Sequence, residues 1–184
     1  MRIRRTSWVL FGLFLILFNA QMWGQDQAPK SKLRLEYLMT FRADFVQPID
    51  IGQTTTGHRV LYVVSGGTFD GPKLRGKVVP GPVDWFLTTP DGVGRMDVRA
   101  TFQTEDGANI YMRYQGVQVM TAAAGAKIGQ GELLDYGQIY WVATPVFETG
   151  DPHYAWLNNI VTVGEARLGP KAAWIEYRLF QVMD

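Results

Sequence analysis

From Leu33 onward, apolar and polar residues alternate with a period of two rather than 3.6. Leu33, Leu35, Tyr37, Met39 and Phe41 fall on one side, against Arg34, Glu36 and Arg42 on the other. Successive side chains of a strand point to opposite faces, so the pattern predicts strands. Further runs end at turn signals: residues 58–64 at Gly66-Gly67, 74–79 at Pro80-Gly81-Pro82, and 83–88 at Pro90-Asp91-Gly92. Residues 138–143, 160–163 and 172–182 continue the series. Turns at intervals of roughly ten residues predict an all-β domain. The expected architecture is a single closed or partly open antiparallel β-barrel with a central cavity, built up-and-down from about eight to ten strands. Two stretches break the rhythm. Residues 122–136 predict a flap over one end of the sheet, and residues 153–158 predict one helical turn.

The clearest strand signal is the hairpin of residues 95–103 and 108–115, joined through Thr104-Glu105-Asp106-Gly107. Its first strand sets Arg95, Asp97, Arg99, Thr101 and Gln103 against Met96, Val98, Ala100 and Phe102. The turn decides what this means. A two-residue Asp106-Gly107 type I′ turn pairs odd positions with even ones, so Arg99 faces Tyr114 and one mixed face could line a small-molecule pocket. A loop with an odd number of residues pairs like with like, and the charges then sit in water.

Three arginines, Arg2, Arg4 and Arg5, precede an uncharged apolar run from Trp8 to Phe18. This is the pattern of a secretory leader, and the run is short for a membrane span, which needs roughly 20 apolar residues. The small residues Ala20 and Gly24 have bulky Phe18 and Met22 at their minus-three positions. Residues 1–24 are therefore read as a signal peptide or N-terminal anchor, 25–32 as a linker and 33–184 as the β-barrel domain, in a periplasmic or secreted protein. No cysteine is present, so neither a lipid anchor nor disulfides can be invoked, and packing must stabilise the fold. The 18 basic and 17 acidic residues become 15 and 17 without the leader, a balance of −2. That charge gives no electrostatic basis for nucleic-acid binding. It also leaves no basic helix for a membrane surface beyond the anchor. A homo-oligomer stays open.

Several motifs in order along the chain carry a resemblance. They are Gly57-His58-Arg59, the run from Ser65 to Gly81 that reads SGGTFDGPKLRGKVVPG, Val83-Asp84-Trp85, Asp97-Val98-Arg99, Thr104-Glu105-Asp106-Gly107, and Phe147-Glu148-Thr149 followed by Tyr154-Ala155-Trp156-Leu157-Asn158. Together they resemble the domain-of-unknown-function family numbered 3237 over nearly the whole chain after the leader. Pro82 stands where that family usually has a glycine, which stiffens the turn. The resemblance implies a small closed β-barrel with a central cavity and implies no particular activity.

The two histidines, His58 and His153, have no cysteine beside them, so no zinc or transition-metal site is predicted. No spacing of carboxylates suits calcium. Ser65 lies in a turn that is not a nucleophile elbow, and no phosphate loop or dinucleotide fingerprint follows a strand. No cofactor is expected. What remains is a set of carboxylates and arginines: Asp84, Asp97, Arg99, Asp106, Glu148 and Arg59. Asp84 shares a strand face with Phe86, and Glu148 lies between Phe147 and Thr149 near Trp156. These two are the candidate catalytic acid or base, because a carboxyl group among aromatics has a raised pKa. Arg99, Asp97, Thr101, Tyr111, Trp156 and Tyr177 are the candidate ligand-binding residues. On a plainer account, Asp97 and Arg99 form an exposed pair, Asp106 fills a turn, and the tryptophans are core plugs. Three functions follow: binding of a small apolar or aromatic molecule, a cofactor-independent lyase, isomerase or cyclase in the same cavity, or a structural or interaction protein of the envelope.

Overall fold

The computed structural model describes residues 30–184, and the leader expected over residues 1–24 and most of the expected linker lie outside the described residues. Ten strands and one helix follow in the order β1 (Arg34–Phe45), β2 (Ile49–Thr54), β3 (Gly57–Asp70), β4 (Arg75–Val78), β5 (Val83–Thr88), β6 (Val93–Thr104), β7 (Asn109–Val119), α1 (Ala122–Gly129), β8 (Tyr140–Glu148), β9 (Thr162–Leu168) and β10 (Trp174–Met183). All strand pairings are antiparallel, and β1 closes the sheet by pairing with both β10 and β3.

Ten strands make eight staves. β1 and β2 pair with the same edge of β3, at Thr40–Phe45 and Ile49–Thr54, and so form one interrupted stave. β4 and β5 likewise share the gap between β3 and β6. The predicted up-and-down barrel is therefore closed, which removes nearly every open edge. Interruptions fall where the chain demands them. Pro80-Gly81-Pro82 separates β4 from β5, and proline cannot donate to a ladder.

The β6–β7 turn takes the odd route. Thr104 N–H donates to the Ala108 carbonyl at 2.9 Å, leaving the three-residue loop Glu105-Asp106-Gly107. Gly107 has φ +93°, the left-handed position that such a loop needs in its last residue. Thr101 thus pairs with Tyr111, Arg99 with Arg113 and Gln103 with Asn109. Like faces like, and the hairpin is amphipathic rather than mixed.

Inward positions form one core, and it has two unlike ends. At one end Phe41, Phe69, Phe102 and Tyr177 stack or tilt on each other with ring centroids 5.0 to 5.4 Å apart. That end is closed by the 3₁₀ turn Ala155–Asn159, whose Leu157 is buried. Next to it, the Tyr154 hydroxyl donates to both Asp106 oxygens at 3.1 and 3.0 Å, fastening the β8–β9 connection to the β6–β7 turn. At the other end α1 lies over the barrel mouth, its Ile128 packed on the core. Thr121 caps this helix by accepting from the Ala124 N–H at 3.2 Å. The expected flap is this helix and the loop after it.

Candidate functional site

The mouth end holds a chamber of about 290 Å³. Phe45 from β1, Tyr62 from β3, Phe86 from β5 and Trp141 from β8 form its aromatic wall, with Ile128 above. Tyr62 packs on Phe45 and Phe86 with centroids at 5.4 and 5.9 Å, so these three rings are continuous. Chambers of this size and lining suit a small organic molecule. Below it the space between Phe41, Val98, Phe102, Met112 and Tyr114 shrinks to about 20 Å³.

Asp84 sits between these two regions. Register explains why: Asp84 pairs with Tyr62 on one side and Val98 on the other, and both belong to the inward set. The alternation that puts Asp84 with Phe86 thus puts both in the chamber wall. Asp84 Oδ1 accepts a hydrogen bond from the Asp97 backbone N–H at 3.2 Å. Burial outweighs that bond and pushes the carboxyl group up to about 7, with the Asp97 charge adding to the rise. Near neutrality it therefore exchanges its proton, and it can either donate or accept a hydrogen bond.

The phenols nearby stay protonated near neutral pH. Burial, and then the charge of Asp84, raises Tyr62 and Tyr177; Tyr114 is raised by burial, by Tyr177 and by Asp84. Tyr177 and Trp141 meet at one sulfur: Trp141 Nε1 donates to Met96 Sδ at 2.9 Å, and the Tyr177 hydroxyl lies 3.6 Å from the same atom. Gln118, buried on β7, adds an amide to the chamber wall.

Of the residues singled out from sequence, Asp84 and Tyr177 lie inside the barrel. Glu148 does not: at the end of β8 it is exposed, because Phe147 takes the inward position beside it. Arg99, Asp97, Thr101 and Tyr111 fall on the outer face, since the three-residue turn pairs odd positions with odd. There Arg99 Nη1 donates to Asp97 Oδ1 at 3.1 Å. Trp156 is in the 3₁₀ turn at the closed end, with the Lys73 ammonium 5.4 Å from its ring. Trp85 is no core plug, being 47% exposed on the outer face. Asp106 binds Tyr154, and Arg59 Nη1 donates to the Trp85 carbonyl at 2.7 Å.

Sequence reasoning passed over Tyr62 and Gln118. Parity was the available signal. Gln118 follows Ile110, Met112, Tyr114 and Gly116 at steps of two, and Tyr62 shares its face with Val60 and Val64. Among the described residues no group of three or more His, Cys, Asp or Glu side chains is placed to hold a metal ion.

This fold has known counterparts. A UPF0311 protein of Rhodopseudomonas palustris is 31% identical over 134 residues, covering 73% of this chain and 88% of its own. The crystal structure of a conserved protein of unknown function from Rhodopseudomonas palustris superposes with a TM-score of 0.77 at 28% identity, over 84% of this chain and 100% of that one. A β-barrel-like protein from Acinetobacter baumannii superposes with a TM-score of 0.69 at 31% identity, over 85% of this chain and 100% of that one. The family model described as "Protein of unknown function (DUF3237)" matches residues 33–182, the span of the barrel, and this chain belongs to that family.

Proposed function

We propose that the barrel binds a small, largely apolar or aromatic molecule in the mouth chamber, with the molecule's polar end against Asp84. One observation carries this reading: a chamber of about 290 Å³ walled by Phe45, Tyr62, Phe86 and Trp141 has a single carboxyl group in its lining. An apolar wall supplies affinity, and one placed polar group supplies orientation. Arg99 has no part in it, because it lies on the outer face. The arginine-led apolar pattern of residues 1–24 supports a periplasmic or secreted setting.

A second reading rests on the same carboxyl group. With its pKa near 7, Asp84 is suited to move a proton as acid or base without a cofactor, as a lyase, isomerase or cyclase would require. Either reading needs the chamber occupied, so binding is tested first. Ligand-observed NMR with small aromatics such as 2-naphthol, indole and benzoate should give saturable binding. Thr88→Trp, which fills the chamber from its rim, should abolish it. Absence of binding across the set, or binding undiminished in Thr88→Trp, would overturn the reading.

A further inference from the structure

The outside of the barrel carries a concavity larger than the mouth chamber. A trough of about 450 Å³ runs over the outer faces of β3 and β5 to β8, lined among others by Arg59, Trp85, Arg95, Gln115, Tyr140 and Thr144. Its floor includes one cross-strand row in which Arg59 pairs with Leu87, Leu87 with Arg95, Arg95 with Val117 and Val117 with Val142. Arg95 thus stands between two apolar neighbours, with no carboxylate opposite it on either strand.

The ladder between β9 and β10 is built differently. On β9 and β10, Arg167 faces Glu176 at 2.6 Å and Arg178 faces Glu165 at 2.9 Å, each pair directly across the ladder. Opposite charges across a ladder are the ordinary way to accommodate an arginine on a sheet. In the trough the carboxylate Asp97 is engaged by Arg99, which itself lies opposite Arg113. The balance of the face is cationic. Arg59 is positioned in advance by its bond to the Trp85 carbonyl.

Two aromatic side chains complete the trough. Trp85 on β5 is 47% exposed and Tyr140 on β8 is 59% exposed. Three strand spacings, roughly 14 Å, separate those strands. Gln115 and Thr144, paired across β7 and β8, offer neutral donors and acceptors between them. Exposed aromatic faces, neutral polar groups and two arginines, of which Arg95 has only the carboxylate of Asp91 acting on it at longer range, together match an acidic sugar chain. The apolar C–H faces of such a chain stack on rings, and its carboxylates take arginine bidentately. Being open along an outer face, the trough admits a chain rather than enclosing a compact molecule. We infer that this outer face is a second binding site, for an acidic oligosaccharide of the uronate type, independent of the mouth chamber.

Isothermal titration of the full-length chain with trigalacturonate tests this, with maltotriose as the neutral saccharide and 2-naphthoate as the non-saccharide carboxylate. Trigalacturonate should bind saturably and maltotriose should not. Arg95→Gln and Trp85→Ala should each weaken binding roughly tenfold. Both side chains lie in the surface trough, and an unchanged melting temperature will show that each variant folds. Lys77→Gln makes the same charge change on the exposed outer face of β4 and should leave binding unchanged. Any of four results would overturn the inference: no saturable binding of trigalacturonate, equal binding of maltotriose, equal losses in Lys77→Gln and Arg95→Gln, or 2-naphthoate binding in the trough where trigalacturonate does not.

Discussion

The two halves of the barrel interior are made by the same staves with the same alternation, yet one is solid and the other hollow. At the closed end the inward positions carry Phe41, Phe69, Phe102 and Tyr177, which interlock, and the space that Phe41 and Phe102 border is only about 20 Å³. At the mouth, Phe45, Tyr62, Phe86 and Trp141 stand back as a wall around about 290 Å³ and admit a carboxyl group among them. Aromatic content is similar in both, so it does not decide. What differs is the closure: a 3₁₀ turn pinned by Tyr154 and Asp106 drives Leu157 into one end, whereas a separate short helix covers the other. The solid half should contribute most of the stability, because the residues of the hollow half border empty space and make fewer contacts.

If that division is right, truncation should be far costlier below Asp84 than above it. Phe102 is fully buried between Phe41 and Phe69, and Phe102→Ala should cost about 4 kcal/mol. Phe86 already borders empty space and loses fewer contacts, so Phe86→Ala should cost roughly 2 kcal/mol. Urea denaturation of both variants measures the difference. Equal losses would mean that the chamber wall is as tightly integrated as the core.

Asp84 sharpens the comparison from the boundary between the halves. Its folded-state pKa, about 7, lies above the ordinary value of 3.8, so the native state holds the proton more tightly than the unfolded chain does. Its protonated form fits the fold without penalty below the ordinary value, and stability falls as pH rises from 3.8 to about 7 and levels off above it. The penalty at pH ~8 is on the order of 4 kcal/mol at most. Asp84→Asn keeps an oxygen for the Asp97 N–H and carries no charge. It should melt higher than the unmodified protein at pH ~8 and close to it at pH ~4. A thermal melt across that range reads the sign directly, and an unchanged slope in the variant would remove Asp84 as its source.

Asp84 was legible in the sequence because a charged residue between Val83 and Trp85 shares parity with Phe86, and parity survives whatever the strand pairs with. Arg99 and Glu148 were not, for different reasons. The face of Arg99 turned on one backbone detail, whether Gly107 closes a two-residue or a three-residue loop, and both loops accept Asp-Gly. Glu148 ends a strand where Phe147 already takes the inward place, and a residue at a strand end can be read either way until its partner strand is known. β2 went unread because it is an edge continuation of β1 with exposed Ile49 and Ile51, so no buried face imposed a period. Closure by β1 on β3 is likewise a long-range pairing that no local pattern encodes.

The smallest effect expected is at the lid. Ile128 on α1 is partly buried, packs against the core and lines the chamber. Ile128→Ala removes methylenes that face empty space on one side, so little cavity is added to what exists and the loss should be about 1 kcal/mol or less. The chamber's exchange kinetics should respond much more. If α1 closes the mouth by this contact, a bound aromatic probe should leave the variant faster with little change in the melting temperature, as NMR line shapes would show. A large drop in stability with unchanged exchange would instead place α1 among the load of the core, and the mouth end would have to be regarded as a second packed end that happens to enclose a void.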